Sequence, residues 1–308
     1  MAKLTQIQKL EALPHAIEGY LHDNATTQVA LAQLAGIDKA YVNQILKGNE
    51  MIGKAKIADK YYEAIALAIG FQLEKTYWMH FNTFNFKQAI ITFENAREKK
   101  IRLGLDGDTG LGKTYAATMY KRKHPASVFL VKCSSIENSK EFAINLAEEV
   151  GVASTGTKGA IIKRVCQKIK TLGGNPMIII DEFENSKAGN IPTVKTIADE
   201  LQGYAAVVVI GIDVQKMLSK GAERRKNGFV QTNRRWSFGW TYLDPSIGED
   251  IENICIELGI SNKPAQNWLK ARVKDFGSLN NICITALEEA EKTDQEVTIS
   301  LLNELYPC

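Results

Sequence analysis

One eight-residue run constrains the fold of this chain more than any other feature: Gly107-Asp108-Thr109-Gly110-Leu111-Gly112-Lys113-Thr114. It has the form G-x-x-x-x-G-K-T. It lies between an apolar stretch that reads as a strand, Ile101–Leu105, and a helical pattern that starts at Lys113. Glycines at these places let successive backbone N–H groups curl around phosphate oxygens, and the helix N-terminus adds partial positive charge. In that setting the Lys113 ammonium reaches the terminal phosphates, and the Thr114 hydroxyl is placed to ligate Mg²⁺. A chance glycine-rich turn would not need strand, loop and helix in that order. The expected cofactors are therefore ATP and Mg²⁺, bound at the end of a strand in an α/β fold.

The rest of residues 101–243 supplies the sheet. Strands at Val128–Lys132, Met177–Ile180, Val207–Ile210 and roughly Ser237–Leu243 alternate with helices that begin near Lys113, Glu137, Gly159, Thr193 and Val214. The alternation predicts a parallel sheet with helices on both faces. Asp181-Glu182 stand at the C-terminal end of the third strand, where ligands meet an open sheet of this kind. Asp181 is expected to hold Mg²⁺ through water, and Glu182 to orient and deprotonate an attacking water. Phosphate transfer to a small metabolite has no task for the second carboxylate, so the pair points to hydrolysis. The plainer reading of Glu182 is a carboxylate at a helix start. After Pro245 the pattern is helical, around Ile251–Leu258, Pro264–Phe276, Leu279–Lys292 and Val297–Leu305.

Composition sets the outer limits. With 308 residues, 45% hydrophobic and 24% charged, the chain has room for about two domains of ~100–200 residues each and is not a disordered or fibrous sequence. The longest apolar run, Ala205–Ile212, is far short of the ~18–20 residues of a membrane helix. Met1-Ala2-Lys3-Leu4-Thr5-Gln6 lacks the features of a signal peptide, and five scattered cysteines with no C-x-x-C pair argue against disulfides or zinc. A cytoplasmic protein with reduced thiols is the expectation. The net charge of +3 hides an asymmetry: residues 1–95 balance, residues 244–308 are acidic, and the middle is basic. A polyanion partner for the middle and an ordinary solvated surface both explain that excess.

Residues 1–70 read as a small all-helical unit with apolar positions at Leu31, Leu34, Ile37, Val42 and Ile45. Within it, the segment from Gln28 to Ile45 fits a helix-turn-helix, with small Ala32 where the helices cross and Gly36 in the turn. Its second helix offers Lys39, Tyr41, Asn43 and Gln44 outward. Asn43 and Gln44 suit adenine edges in a major groove, and Lys39 and Tyr41 suit phosphates. Seven lysines against seven acids in residues 1–70 leave no basic excess, so docking of a protein stays open beside double-stranded DNA. An aromatic-rich connection follows at 71–98, then the α/β core at 99–243 and a helical lid at 244–308.

These residues resemble the AAA+ ATPases. Asp181-Glu182-Phe183-Glu184, with a helix-turn-helix in front, is similar to the group of the phage Mu B transposition protein and its transposon relatives. The resemblance covers nearly the whole chain and implies several roles. A sensor after the fourth strand falls at Ile212, with Asp213 the next polar group. An arginine before the fifth strand that reaches a neighbouring subunit's phosphate matches Arg235, with Arg234 and Arg225 behind it. The lid reads Gly277-Ser278-Leu279-Asn280, without the usual arginine. Lys158, Lys163 and Arg164 fall near the insertion that lines a DNA-tracking groove in relatives. The implied activity is an ATPase that self-associates into a filament or ring on DNA and delivers target DNA to a transposase in a bacterial host cell. An ATP-regulated transcription regulator and an origin-type replication initiator or loader are the alternatives.

Overall fold

The computed structural model describes residues 8–71, 77–237 and 239–307. In its N-terminal part, α1 (Leu13–Asp23), α2 (Gln28–Leu34), α3 (Lys39–Leu46) and α4 (Asp59–Ile69) surround a core that includes Leu13, Ile17, Leu31, Val42, Ile45 and Ile65. Two side chains fix the starts of the short middle helices. The Ala30 N–H donates to Thr27 Oγ1 at 3.2 Å, and the Ala40 N–H donates to Asp38 Oδ1 at 2.7 Å. The expectation of a purely helical unit misses one element, a hairpin of β1 (Met51–Ile52) and β2 (Ala55–Lys56). Its two-residue loop, Gly53-Lys54, has positive φ only at Gly53, the pattern of a II′ turn. Strands of two residues are too short to show a period in the sequence. Ile52 and Ile57 root the hairpin in the helical core.

The rest builds on one sheet. In chain order it contains α5 (Phe84–Lys99), β3 (Arg102–Asp106), α6 (Lys113–Lys123), β4 (Val128–Lys132), α7 (Ser139–Val150) and α8 (Lys158–Lys170). There follow β5 (Met177–Asp181), α9 (Ile191–Glu200), β6 (Ala206–Gly211), α10 (Val214–Glu223), α11 (Phe229–Trp236) and β7 (Trp240–Tyr242). The five strands are parallel in the order β4-β5-β6-β3-β7. β5 and β6 are buried along their whole length, which is why they read as unbroken apolar runs. The register aligns their ends: Lys132 pairs with Asp181, and Asp106 pairs with Gly211 and Tyr242. One edge of the sheet thus collects the polar residues that follow each apolar strand.

Three differences from the sequence reading bear on function. The aromatic connection is largely the helix α5, whose Phe93 is buried against Tyr120 with ring centroids 5.4 Å apart. The last strand is shorter than Ser237–Leu243, because α11 runs to Trp236 and its indole N–H donates to Leu103 O at 3.0 Å. Beyond the sheet lie α12 (Gly248–Leu258), α13 (Lys263–Arg272), α14 (Phe276–Lys292) and α15 (Ile299–Leu305). Here the break falls before Phe276 rather than after it. Asp275 causes it, accepting from the Ser278 N–H at 2.8 Å and the Ser278 hydroxyl at 2.7 Å as a cap. By contacts the chain divides into Met1–His80 with Cys255–Gln266 and Asn280–Cys308, and Phe81–Ile254 with Asn267–Leu279.

Candidate functional site

The loop Gly107–Gly112 leaves β3 and enters α6, as its sequence requires. Asp106, buried at the strand end, accepts from the Gly107 N–H at 2.9 Å and the Gln215 N–H at 3.2 Å, fixing the start of the loop. Gly110 has φ +73°, and the Phe276 N–H donates to its carbonyl at 2.9 Å. A Cβ at Gly110 would collide with Asp275, so the loop needs glycine there for its conformation and for the approach of α14. Asp108, Thr109 and Gly110 are exposed, and Leu111 is buried beneath them. The Lys113 ammonium donates to Gly107 O and Asp108 O, both at 2.6 Å. Burial pushes its pKa down, and the carboxylates of Glu184, Asp106 and Asp181 oppose that shift.

Asp181 ends β5, 2% exposed. Burial pushes its carboxyl up, against hydrogen bonds from the Thr114 hydroxyl and the Glu182 N–H, the latter at 2.8 Å. A buried carboxylate and a hydroxyl side by side are hard oxygen donors of the kind that hold Mg²⁺ with substrate phosphates, so these residues fit that ion. Glu182 has a left-handed backbone (φ 50°, ψ 43°). Its side chain receives Lys132 Nζ at 2.8 Å and Asn185 Nδ2 at 3.2 Å. The structure therefore brings Lys113, Thr114, Asp181 and Glu182 to one edge of the sheet.

Four partners at this edge escaped the sequence reading. Lys132 reaches Glu182 from the neighbouring strand, and the register of β4 on β5 is what puts it there. Glu184 turns back and accepts from the Ile212 N–H at 3.2 Å, lying so close to Gly211 that a Cβ there would clash. Asp275 and Phe276 approach the loop from the lid side. The sequence did offer a signal for Glu184, as the fourth residue of the D-E-x-E run. Asp213, the sensor candidate, has φ +53° and an exposed side chain 3.1 Å from Lys216.

The remaining candidates sit elsewhere. The Arg235 guanidinium grips both carboxylate oxygens of Asp199 in its own chain, with Nη2 at 2.8 Å from Oδ2, and donates to Gln231 O at 2.9 Å. Asp199 also receives Lys195 at 2.9 Å. Arg234 and Arg225 are exposed. On α8, Lys158 donates to Ser139 Oγ and Thr193 Oγ1, both at 3.2 Å, and Arg164 donates to Ala153 O at 3.0 Å and also to Thr155 O. Only Lys163 of the three is fully outward, so part of the basic charge of this helix is spent on holding its own surroundings. A cavity of about 680 Å³ lies between α8 and α9. On α3, Lys39 is exposed, Tyr41 stacks on Tyr61 with centroids 3.8 Å apart, and Asn43 is half-buried. Gln44 accepts from Asn49 Nδ2 at 2.8 Å. Among the described residues no helix is long and apolar enough to cross a membrane, and Cys133, Cys166, Cys255 and Cys283 are buried and not joined in disulfides.

Comparison with known proteins agrees with this geometry. A family model described as an AAA domain matches residues 102–218, from the start of β3 into α10. The Mu-like prophage FluMu DNA transposition protein B of Haemophilus influenzae is 27% identical over 231 residues, covering 73% of this chain and 77% of that protein. Among solved structures, Aeropyrum pernix Orc1 in complex with DNA superposes with a TM-score of 0.53 at 18% identity over 71% of this chain. Pyrobaculum aerophilum Cdc6p gives 0.51 at 14% identity over 69%. The matched regions span 63% and 62% of those two chains, less than two thirds of their length, and the likeness is one of fold. The fold is that of the AAA+ P-loop proteins, with a parallel five-stranded core, helices after it and a helical N-terminal region, and residues 102–218 match an AAA domain. Along 73% of its length the chain is similar to the Mu-like transposition protein B.

Proposed function

We propose that this chain is an ATPase that binds double-stranded DNA with little sequence preference while it holds ATP. It oligomerises on the DNA and presents it as a target to a transposase. The observation that carries the reading is the loaded edge of the sheet, Lys113, Thr114, Asp181 and Glu182, in a chain similar to a transposition protein B along 73% of its length. Lys113 is held at the mouth of the loop where β- and γ-phosphates would exchange for the carbonyls of Gly107 and Asp108. Thr114 and Asp181 would hold Mg²⁺, which neutralises charge developing on the phosphates. Glu182 is the base for the attacking water, and Lys132 holds it aside until the site closes. Hydrolysis then switches DNA affinity off.

Because Arg235 is committed to Asp199, we assign the arginine offered to a neighbouring subunit to Arg234, the exposed residue beside it on α11. An arginine supplied by a neighbour makes hydrolysis depend on assembly. Electron microscopy of the protein with random-sequence duplex DNA tests the function. ATP-dependent filaments or rings along the DNA are expected. A single saturable site on one sequence, with no assembly, would favour a transcription regulator instead.

A further inference from the structure

The apparent lack of basic excess in residues 1–70 is a matter of placement. Lys39, Lys47, Lys54, Lys56 and Lys60 all fall between residues 39 and 60, with only Glu50 and Asp59 among them. Asp59 is neutralised by the buried Lys9 at 2.6 Å, and Glu50 lies 3.8 Å from Lys56. Asp38, just before, caps α3 and keeps its negative charge, so residues 38–60 carry five lysines against three acids, one of them paired with Lys9. The five lysines are all exposed. The remaining acids of this stretch, Glu11, Glu18, Asp23 and Glu63, lie on α1 and its lead-in or further along α4. The N-terminal region is therefore polarised, with a cationic portion made of α3, the hairpin and the first turn of α4.

We infer that the DNA surface of this region extends from α3 onto the β1–β2 hairpin and the start of α4, and that Lys54, Lys56 and Lys60 bind backbone phosphates of duplex DNA. The inference rests on the proposed DNA-binding function. Three contacts join these elements into one rigid surface. Ile52 and Ile57 fix both ends of the hairpin in the core. Asn49, leading into it, is tied to Gln44 of α3 at 2.8 Å. At the start of α4, Tyr61 stacks on Tyr41 at an interplanar angle of 11°, and Lys60 Nζ sits 5.0 Å from the Tyr61 ring centroid.

The chemistry selects phosphate over base. The loop and second strand of the hairpin carry Gly53, Lys54, Ala55 and Lys56, with no amide or guanidinium to form a bidentate pair with a base edge. Lysine is a point charge on a flexible stem, suited to phosphate oxygens wherever the duplex presents them. Such contacts fix position and carry no sequence information, as a protein that must accept any target requires.

The test uses the full chain with ATP, random-sequence duplex DNA and anisotropy titrations over a range of salt. Replacing Lys54 and Lys56 together by Gln should lower the log–log salt slope by about 1.8, since each phosphate contact contributes ~0.9. Basal ATP turnover and the circular dichroism spectrum should not change. The double Lys→Arg replacement, which keeps the charge, should keep the slope. Wild-type slope in the Gln variant, with Lys39→Gln lowering it, would restrict the DNA surface to α3. Wild-type slope in both Gln variants, with DNA still bound, would remove the whole N-terminal surface from DNA. If the wild-type chain binds no duplex DNA in ATP, the functional reading fails as well, and an acidic protein becomes the partner to seek.

Discussion

At the edge of the sheet Asp106, Lys113 and Asp181 are buried, and each is committed to named hydrogen-bond partners. In the N-terminal region Lys39, Lys47 and Lys54 stand in solvent. On the proposed function, the two regions put charge to different uses. Chemistry on a phosphate needs groups fixed to a fraction of an ångström in a dry setting, so their desolvation is offset by hydrogen bonds prepared in advance. Holding a polyanion needs only cations near its surface, each worth little and screened by salt. Substitutions at the edge should therefore act singly and severely, whereas those on the lysine surface should act in small, additive steps.

The largest effect tests where the edge is completed. Arg234→Ala should remove most DNA-stimulated turnover, by up to about 10³–10⁵-fold where an arginine acts between subunits. Mixing it with Lys113→Ala should restore part of the activity, because each variant supplies the half-site the other lacks. A larger loss in Arg235→Ala than in Arg234→Ala would return the role to Arg235 and mean that its pairing with Asp199 opens on assembly. Next, Lys113→Ala should weaken ATP binding by about a hundredfold or more, the cost of stripping the cation from a buried anion site, with the fold unchanged by circular dichroism. Retained ATP-dependent DNA binding in that variant would break the link between the two regions.

Lys132→Met has a smaller expected effect and the opposite sign. Freed from its ion pair, Glu182 should support a several-fold higher turnover without DNA, and stimulation by DNA should shrink. A fall in basal turnover would show instead that Lys132 orients Glu182 for its task. The smallest effect concerns stability. Burial raises the Asp181 pKa in the fold, so the ionised carboxylate costs stability above that pKa and the cost fades as pH falls through it. Without nucleotide, Asp181→Asn should melt at a higher temperature than wild type at neutral pH, and the gap should narrow as pH falls below the raised pKa. A gap that stays constant with pH would remove the desolvation argument.

How much of this was legible in the sequence follows the same division. The loop, strands β4 to β6 and the Asp181-Glu182 pair could be read because they are local: glycine spacing, apolar runs and the residues that end them. Lys132 and Glu184 act across strands, and only the register of β4 on β5 and the turn after Glu182 bring them to the site. The hairpin was hidden by its two-residue strands, and α11 by a run rich in polar residues, Gln231-Thr232-Asn233-Arg234-Arg235. For α8, the sequence shows how many cations there are but not that Arg164 is spent on the carbonyls of Ala153 and Thr155.

The central claim is that the ATP site decides how long the chain stays on DNA. Glu182→Gln should keep ATP binding and lower turnover by about 10²–10⁴-fold, the usual contribution of a positioned base. The direct measurement is the dissociation rate from random-sequence duplex DNA after loading with ATP and dilution into competitor, for wild type and Glu182→Gln side by side. The account predicts that the variant stays bound longer, in proportion to its slowed hydrolysis. Equal dissociation rates in the two proteins, with turnover differing by two orders of magnitude or more, would contradict it.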